Sequence, residues 1–253
     1  MYAQERQRQI LEALERTGRV AVAELAEHFD VTTETIRRDL DHLSSEGLIL
    51  RVHGGAVPRR TAVAEPDLET RRATNTDVKR RIAAAAAALL PRDADASILL
   101  DAGTTTAELL PHLAGRRGPV ITNAPAIAQG ALAHPGLEVQ ILPGRLRGTT
   151  QAAVGATTVA ALGVLHPDVV VLGCNGLGPD GFTTPDPDEA AVKAAMVAAA
   201  GLRIVVADSS KAGARTLVTF ATAADVDTLV TDTGLSDDAM RQLTEEGIEV
   251  VRA

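Results

Sequence analysis

From residue 79 onward, short apolar runs alternate with alanine-rich stretches of helical periodicity, and this alternation is the strongest constraint on the fold. The apolar runs lie at 97–100, 120–122, 138–142, 168–172, 203–207, 228–231 and 249–251, and the helical stretches at 79–90, 105–113, 124–133, 155–163, 187–200 and 236–246. Strands that alternate with helices favour a mostly parallel sheet covered on both faces. The sequence therefore predicts an α/β domain over residues 79–253.

The first 57 residues follow another pattern, that of three short helices and a hairpin. The helices are predicted over 3–16, over 22–28 and from Thr32 or Thr33 to Gly47, and the hairpin over 48–57 with a glycine-rich tip. Threonine is a good helix N-cap, and glycine commonly follows a helix end. Residues 58–78 are polar and contain two prolines and four arginines. We predict a linker there, partly helical, between domains of residues 1–57 and 79–253.

Composition excludes several classes of protein. The net charge of −8 rules out a protein that coats nucleic acid by bulk positive charge, although residues 47–60 hold three arginines and no acidic residue. The longest apolar run, 82–90, is far shorter than the roughly 20 residues of a membrane helix, and the N-terminus lacks a signal-peptide pattern. Cys174 is the only cysteine and the histidines are scattered. We therefore expect a cytoplasmic chain with no disulfide, no metal site, no cofactor and no membrane partner.

The third helix has the geometry of a DNA-recognition helix. With Ile36 facing the core, this helix turns a polar face outward, and a short turn sets it across the preceding helix. The outward residues are Glu34, Arg38, Asp41 and Ser45, with Arg37 beside them. An arginine there can pair with guanine, and a threonine can reach phosphate or a thymine methyl group. The candidate DNA contacts are Thr33, Thr35, Arg37 and Arg38 on the helix and Arg51, His53 and Gly54 at the hairpin. Periodicity alone leaves open a plain interaction module with surface arginines.

Residues 101–106, Asp-Ala-Gly-Thr-Thr-Thr, connect a predicted strand to a predicted helix. A strand, a tight turn and a helix N-terminus form a ready anion site, because backbone N–H groups and the positive end of the helix dipole face outward. Glycine at 103 lets a phosphate approach the backbone. The alternative is an ordinary turn with a threonine cap, and the spacing of a P-loop is absent.

Other polar residues follow the predicted strands at the same edge of the sheet. They are Asn123, Arg145, Arg147, Asn175, Asp208 and Lys211. Ligands of open parallel sheets bind at the carboxyl ends of the strands. Glu189 and Lys193 lie on one helix face, where they form either a surface ion pair or a carboxylate for sugar hydroxyls and a cation for phosphate.

The strings that carry these patterns resemble a known family. The first domain contains ELAEHFDVTTETIRRDLDHLSSEGLILRVHGGA, and the second contains ILLDAGTTT, VITNAPAIA, GATTV, GCNGLGPDGFTTPDPDEAAVKAAM and VVADSSKAG. Over nearly the whole chain they are similar to the DeoR family of bacterial transcriptional regulators. The resemblance implies a winged helix-turn-helix that binds operator DNA, and a sensor domain with a fold akin to ribose-5-phosphate isomerase and the CoA transferases. It also implies a phosphorylated sugar or polyol as inducer.

The resemblance also assigns residues. The implied effector-binding residues are Asp101, Gly103, Thr104, Thr105, Thr106, Asn123, Arg147, Glu189, Lys193 and Lys211. Arg37 and Arg38 are implied DNA contacts. Asp39 is expected to hold an arginine in place, because a carboxylate beside DNA phosphates is repelled.

These observations favour a repressor of a sugar or polyol catabolic operon. A phosphorylated sugar intermediate would relieve the repression. The first domain, here called the head, is nearly neutral, which predicts modest DNA affinity per subunit. We therefore expect a homo-oligomer, a dimer or a tetramer, on double-stranded operator DNA. One alternative is a sugar-phosphate isomerase fused to a helix-turn-helix, with Asp101, Glu189 and Lys211 among the groups for enediol chemistry. The other is an activator, because the sign of regulation depends on where the operator lies. The leading hypothesis assigns no catalytic residue and no enzyme activity.

Overall fold

The computed structural model describes residues 3–17, 20–46, 48–52, 54–58, 65–178 and 180–253. The chain divides into two compact units, Met1–Ala64 and Glu65–Ala253. This boundary lies inside the segment 58–78 that the sequence predicts as a linker. Residues 65–78 belong to the second unit, and residues 59–64 lie outside the described part of the chain.

In its described residues, the first unit contains three helices and a small antiparallel sheet. The helices are α1 (Ala3–Thr17), α2 (Val22–Phe29) and α3 (Thr33–Ser45), and the strands are β1 (Val20–Ala21), β2 (Ile49–Val52) and β3 (Gly55–Pro58). β3 lies between β1 and β2 and pairs antiparallel with both. The predicted hairpin is therefore a wing, to which the chain adds β1 as a third strand that the sequence analysis missed.

Apolar residues at helical spacing close the core of this unit. The buried set includes Ile10, Leu25, Phe29, Ile36, Leu40 and Leu43. Asp30 ends α2 in a left-handed backbone conformation with φ of 51°, which makes the turn into α3 short. The Thr32 hydroxyl then accepts a hydrogen bond from the Thr35 backbone N–H at 3.2 Å, which is one of the two N-caps that the sequence predicts. The predicted helix-turn-helix is confirmed.

The second unit is an α/β domain. Its helices are α4 (Leu68–Ala73), α5 (Thr76–Ala88), α6 (Thr104–Ala107), α7 (Pro125–Ala131), α8 (Ala156–Leu162), α9 (Pro187–Ala199) and α10 (Asp237–Glu245), and 3-10 turns span Leu110–Leu113, Ser209–Lys211 and Ala223–Asp225. Its strands are β4 (Ile98–Leu100), β5 (Pro119–Thr122), β6 (Glu138–Ile141), β7 (Arg145–Leu146), β8 (Ala153–Val154), β9 (Val169–Gly173), β10 (Gly176–Gly178), β11 (Gly181–Thr184), β12 (Leu202–Val206), β13 (Val218–Ala221), β14 (Thr228–Thr231) and β15 (Glu249–Arg252).

Seven parallel strands form the main sheet in the order β15-β14-β12-β9-β4-β5-β6. They are the strands that the sequence predicts, with ends that differ by at most one residue. The chain starts at β4, runs outward through β5 to β6, returns to β9 on the other side of β4, and runs outward again to β15. The neighbours β4 and β9 therefore form a topological switch point, and ligands of open α/β sheets bind at the carboxyl ends of such strands.

Short antiparallel pairs are the part of the fold that the sequence analysis missed. β7 pairs with β8, and β10, β11 and β13 form a small separate sheet. The predicted helix 105–113 is divided into α6 and a 3-10 turn, because Pro111 has no backbone N–H with which to continue an α-helix. No helix in the described part of the chain has the length and apolarity needed to cross a membrane.

Candidate functional sites

Helix α3 presents two arginines on its exposed face. The side chains of Arg37 and Arg38 are 56% and 80% exposed, and Thr33 beside them is also exposed. Glu34 lies 3.6 Å from Arg37 Nη1 and 3.7 Å from Arg38 Nε. Exposed ion pairs of this kind contribute little to stability, so both guanidinium groups are available to other partners. Thr35 is half-buried, and its hydroxyl lies 2.9 Å from the N-cap hydroxyl.

The residue after these arginines faces the interior. The Asp39 carboxylate accepts hydrogen bonds from Arg6 Nε at 2.5 Å and from Gln7 Nε2 at 3.0 Å, both on α1. Arg6 and Asp39 are both buried, so the pair fixes α3 against α1 and keeps Asp39 away from the exposed face. Asp39 is predicted to hold an arginine in place, and that arginine is Arg6.

The tip of the wing depends on two glycines for different reasons. Gly54 has φ of +76° and open space around it, whereas a side chain at Gly55 would place its Cβ 2.0 Å from a carbonyl oxygen of β1. The backbone conformation favours glycine at position 54, and the close approach of β1 and β3 leaves no room for a side chain at position 55. Arg51 on β2 lies 3.3 Å from Asp41 of α3. The predicted contact His53 lies outside the described residues.

A pocket of about 100 Å³ opens at the carboxyl ends of β4, β9 and β12. This is the switch point of the parallel sheet. The residues that line it are Pro66, Arg71, Thr74, Asn75, Lys79, Gly103, Thr104, Thr105, Gly173, Cys174, Asn175, Val206, Ala207, Asp208, Ser210 and Lys211. Of the predicted effector residues, this set contains Gly103, Thr104, Thr105 and Lys211.

The lining of the pocket carries more positive than negative side chains. Arg71, Lys79 and Lys211 face one carboxylate, that of Asp208. The buried Lys79 ammonium donates to the Arg71 carbonyl and, at 2.6 Å, to the Thr74 carbonyl. Burial lowers the pKa of Lys79, the attraction of Asp208 opposes this shift, and the repulsion of Lys211 and Arg71 adds to it. Because of this excess of cations, the pocket suits an anion.

The first turn of α6 forms one wall of the pocket. Thr104 and Thr105 line it, and a Cβ at Gly103 would lie 2.6 Å from Thr106 Oγ1 and 2.7 Å from Asp101 Oδ1. Glycine at 103 therefore lets the turn close tightly over the Asp101 carboxylate. The N–H groups of a first helical turn have no partner within the helix, so with the threonine hydroxyls they can donate hydrogen bonds to an anion.

Asp101 and Lys193 form a buried ion pair below this wall. Lys193 Nζ donates to Asp101 Oδ2 and, at 2.9 Å, to the Gly173 carbonyl. Asp101 also accepts from the backbone N–H groups of Gly103 and Gly173, each at 2.9 Å, and from the Thr106 hydroxyl at 2.7 Å. Burial raises the pKa of Asp101, but the charge of Lys193 and these hydrogen bonds outweigh it, so the pKa lies below its ordinary value. The predicted effector residues Asp101, Thr106 and Lys193 are thus absent from the pocket lining, and Thr106 and Lys193 both donate to Asp101.

Arg147 stands among three carboxylates. Its Nη1 donates to Glu65 Oε2 and, at 3.2 Å, to Glu189 Oε2, and its Nε lies 3.0 Å from Asp186 Oδ2. Burial raises the pKa of Glu189, and the repulsion of Glu65 adds to this shift against the attraction of Lys193 and Arg147. The cluster holds more carboxylates than guanidinium groups, so it can accept hydrogen bonds from the hydroxyl groups of a ligand.

Glu65 links this cluster to the pocket. Its Oε1 accepts a hydrogen bond from Asn175 Nδ2 at 3.1 Å and lies 3.7 Å from Arg71 Nη1, and both of those residues line the pocket. Glu65, Arg71 and Lys79 are absent from the predicted site residues, because they lie in the predicted linker 58–78 or at the start of the predicted helix 79–90. A signal exists, since basic residues are concentrated at 71–81, in the segment that leads into the first helix of the α/β domain.

Asn123 and Cys174 also follow strands of the main sheet. Asn123 Nδ2 donates to the Ala153 carbonyl at 3.0 Å, which ties the end of β5 to β8, whereas its buried Oδ1 has no partner among the described residues. Burial raises the pKa of Cys174 to about 12, so this thiol is protonated at neutral pH. No group of three or more His, Cys, Asp and Glu side chains in the described residues is arranged to hold a metal ion.

Both units match known domain types. Residues 6–61 match the DeoR-like helix-turn-helix domain, and residues 74–233 match the DeoR C terminal sensor domain. The chain belongs to the DeoR family. Its similarity to other DeoR-family regulators extends over both units, so it is a DNA-binding transcriptional regulator by family.

Three curated DeoR relatives show the extent of this similarity. The HTH-type transcriptional regulator GlpR of Haloferax volcanii is 36% identical over 99% of this chain and 98% of its own. The putative aga operon transcriptional repressor of Escherichia coli O157:H7 is 33% identical over 98% and 93%. The glycerol-3-phosphate regulon repressor of Escherichia coli K12 is 30% identical over 95% of each chain.

The two DeoR domain matches leave residues 62–73 between them. Glu65 and Arg71 lie in this interval. The contacts that join Glu65 to the pocket therefore come from the stretch between the two domain types, at the start of the second compact unit.

Proposed function

We propose that this DeoR-family protein represses a sugar or polyol catabolic operon and that a phosphorylated sugar or polyol relieves the repression. The observation that carries the proposal is the strand-end pocket, where Arg71, Lys79 and Lys211 meet the first turn of α6. Cations beside the N–H groups of a helix start suit a phosphate group. Relatives named as an aga operon repressor and a glycerol-3-phosphate regulon repressor support the same class of regulation.

The distribution of charge orients the effector in this proposal. Its phosphate group contacts Thr104, Thr105 and Lys211, which face the pocket. Its hydroxyl groups extend toward the carboxylates around Arg147, which accept hydrogen bonds. Since the chain has no Trp and one Tyr, polar contacts rather than aromatic stacking carry the recognition. Asp101 and Lys193 support the wall of the site from below.

On the DNA side, α3 enters the major groove. Arg37 and Arg38 contact base edges or phosphates, and Thr33 and Thr35 lie near the sugar–phosphate backbone. Arg51, His53 and Gly54 of the wing contact the adjacent backbone. A nearly neutral head binds weakly on its own, so the operator-binding form is a homo-oligomer, a dimer or a tetramer. The effector weakens operator binding because it has a higher affinity for the DNA-free form.

The test is operator binding titrated with sugar phosphates. Full-length protein selects operator fragments from genomic DNA, and fluorescence anisotropy measures its affinity for them at fixed salt. We expect at least one phosphorylated sugar or polyol to lower operator affinity, and the same compound without its phosphate to have no effect. If no phosphorylated compound changes operator binding, the assignment of the effector is wrong. If the protein selects no DNA sequence, the DNA-binding role is wrong.

A further inference from the structure

The segment that begins the second unit borders the pocket without an apolar anchor. Residues 65–75, here called the strap, contain α4 and contribute Pro66, Arg71, Thr74 and Asn75 to the pocket lining. α4 has no buried residue, in contrast to α5 and α9, whose apolar faces are in the core. Since packing of an apolar face supplies most helical stability in proteins, polar contacts hold the strap in place.

Most of these polar contacts use side chains that line the pocket, and Arg147, which binds Glu65, lies outside that lining. Lys79 donates to two carbonyls of the strap, those of Arg71 and Thr74. At the end of the strap, Asn75 Nδ2 donates to Asp208 Oδ1 at 3.3 Å. At its beginning, Glu65 is held by Arg147, Asn175 and Arg71. A ligand in the pocket therefore competes with the strap for the same side chains.

We propose that Glu65 is an internal latch, whose carboxylate holds the strap in the effector-free protein and is released when the phosphate group of the effector binds. The identity of the effector rests on the proposed function. A phosphate in the pocket attracts Arg71 and repels the carboxylate of Glu65. Arg147 keeps Asp186 and Glu189 as partners after release, so the departure of Glu65 leaves no buried cation unpaired.

The latch acts on the connection between the two units. Glu65 is the first residue of the second unit, and β3 of the wing ends at Pro58. Release of Glu65 adds strap residues to the connecting segment and lengthens it. In an oligomer, a longer connection lowers the effective concentration of the second head at its half-site. Operator affinity then falls without any change in the DNA contacts themselves.

Two matched substitutions in the full-length protein test the latch without any effector. Glu65→Gln keeps the shape of the side chain and removes its charge, and Glu69→Gln makes the same change at an exposed position of α4. Hydrogen exchange of peptides covering 66–75 reports the strap, and fluorescence anisotropy reports operator affinity. For Glu65→Gln we expect roughly tenfold faster exchange and roughly tenfold weaker operator binding. Glu69→Gln should match the wild type in both.

The outcomes separate the latch from the effector assignment. Wild-type exchange and wild-type operator affinity in Glu65→Gln overturn the latch, and faster exchange with unchanged operator affinity overturns its coupling to DNA. Glycerol 3-phosphate and glucose 6-phosphate, added to the wild type, test the effector separately. If neither acts while Glu65→Gln gives both expected changes, the latch is supported and the proposed effector class loses support. Should Glu65→Gln fail to fold, Asn175→Ala removes one donor to Glu65, and it should raise strap exchange by a smaller factor.

Discussion

The carboxylate of Asp101 at the end of β4 and the ammonium group of Lys193 on α9 are bonded to each other, 2% and 5% exposed, beneath the pocket. Burying two charges costs desolvation energy, which their attraction offsets only when hydrogen bonds satisfy the remaining donors and acceptors. Backbone groups of Gly103 and Gly173 and the Thr106 hydroxyl meet that condition here. The pair therefore fixes the strand ends that carry the pocket wall.

Replacing Asp101 with Asn should destabilise the second unit, because it leaves the Lys193 ammonium buried without a counter-charge. We expect the free energy of unfolding to fall by about 3–5 kcal/mol, the usual cost of breaking a buried ion pair from one side. Urea denaturation followed by circular dichroism measures it. A variant as stable as the wild type would show that the pair contributes nothing to the fold.

Glu189→Gln should raise the free energy of unfolding at neutral pH, in contrast to Asp101→Asn. The pKa of Glu189 is raised by burial, so the fold loses stability as the pH rises above about 4.3, the ordinary glutamate value, and the variant lacks this loss. The pKa of Asp101 is lowered, so its contribution is present above about pH 3.9 and is lost as the pH falls through its folded-state pKa. Unfolding curves from pH 3 to 7 should therefore show Glu189→Gln gaining on the wild type as the pH rises. A large loss of stability of Glu189→Gln at pH 7 would contradict the prediction that the ionised Glu189 carboxylate destabilises the fold.

Asp39→Asn should destabilise the first unit. It leaves the buried Arg6 guanidinium without its counter-charge, so we expect protection factors in α1 to drop by the equivalent of about 3–5 kcal/mol. Native-state hydrogen exchange measures this and resolves the two units. Asp41→Asn is the control on the same helix, since the Asp41 carboxylate is exposed and its removal should cost no more than about 1 kcal/mol. Equal losses in the two variants would count against the role of the Arg6–Asp39 pair.

Arg38→Ala should weaken binding to the selected operator by about 1–3 kcal/mol if the side chain contacts a base, with relaxed sequence preference at one position. The side chain is 80% exposed on α3, so its loss should leave folding intact. Arg8→Ala is the matched control, because Arg8 is exposed on α1 and pairs with Glu5 and Glu12. Anisotropy at two salt concentrations separates a base contact from a phosphate contact. Equal changes in operator affinity for Arg38→Ala and Arg8→Ala would contradict the placement of α3 at the DNA interface.

The strands of the sheet and the helix-turn-helix could be predicted because their signals are local. Each parallel strand is a short apolar run, and the buried stripe of α3 repeats at helical spacing within a few residues. The partners of charged groups are set by the tertiary fold. Asp101 and Lys193 are 92 positions apart, and Glu65 and Arg147 are 82 apart. The sequence placed Asp101 and Lys193 near one edge of the sheet and missed that they neutralise each other.

Glu65 and Arg71 show why the boundary of the second unit was also beyond the sequence. Their segment is polar and has no apolar periodicity, which is the usual sign of a linker. It is ordered by contacts with Lys79, Arg147 and Asn175, none of which a local pattern reveals. A polar segment that docks on other polar groups looks like a linker until the fold brings its partners together.

Lys211→Ala should reduce the response to effector while leaving operator binding unchanged. Lys211 ends a 3-10 turn that Asp232 holds by accepting from the Ser209 backbone N–H at 2.6 Å and its hydroxyl at 2.9 Å, so the turn persists without the lysine side chain. Losing one charged hydrogen bond to the phosphate should weaken effector binding by about 1.5–3 kcal/mol. The concentration of phosphorylated compound that releases half the operator measures this. Arg215→Ala, which removes an exposed cation paired with Asp180, should leave that concentration unchanged. If Lys211→Ala unfolds the second unit, the lysine has a structural role instead; if the folded variant responds to effector as the wild type does, the lysine does not bind the phosphate.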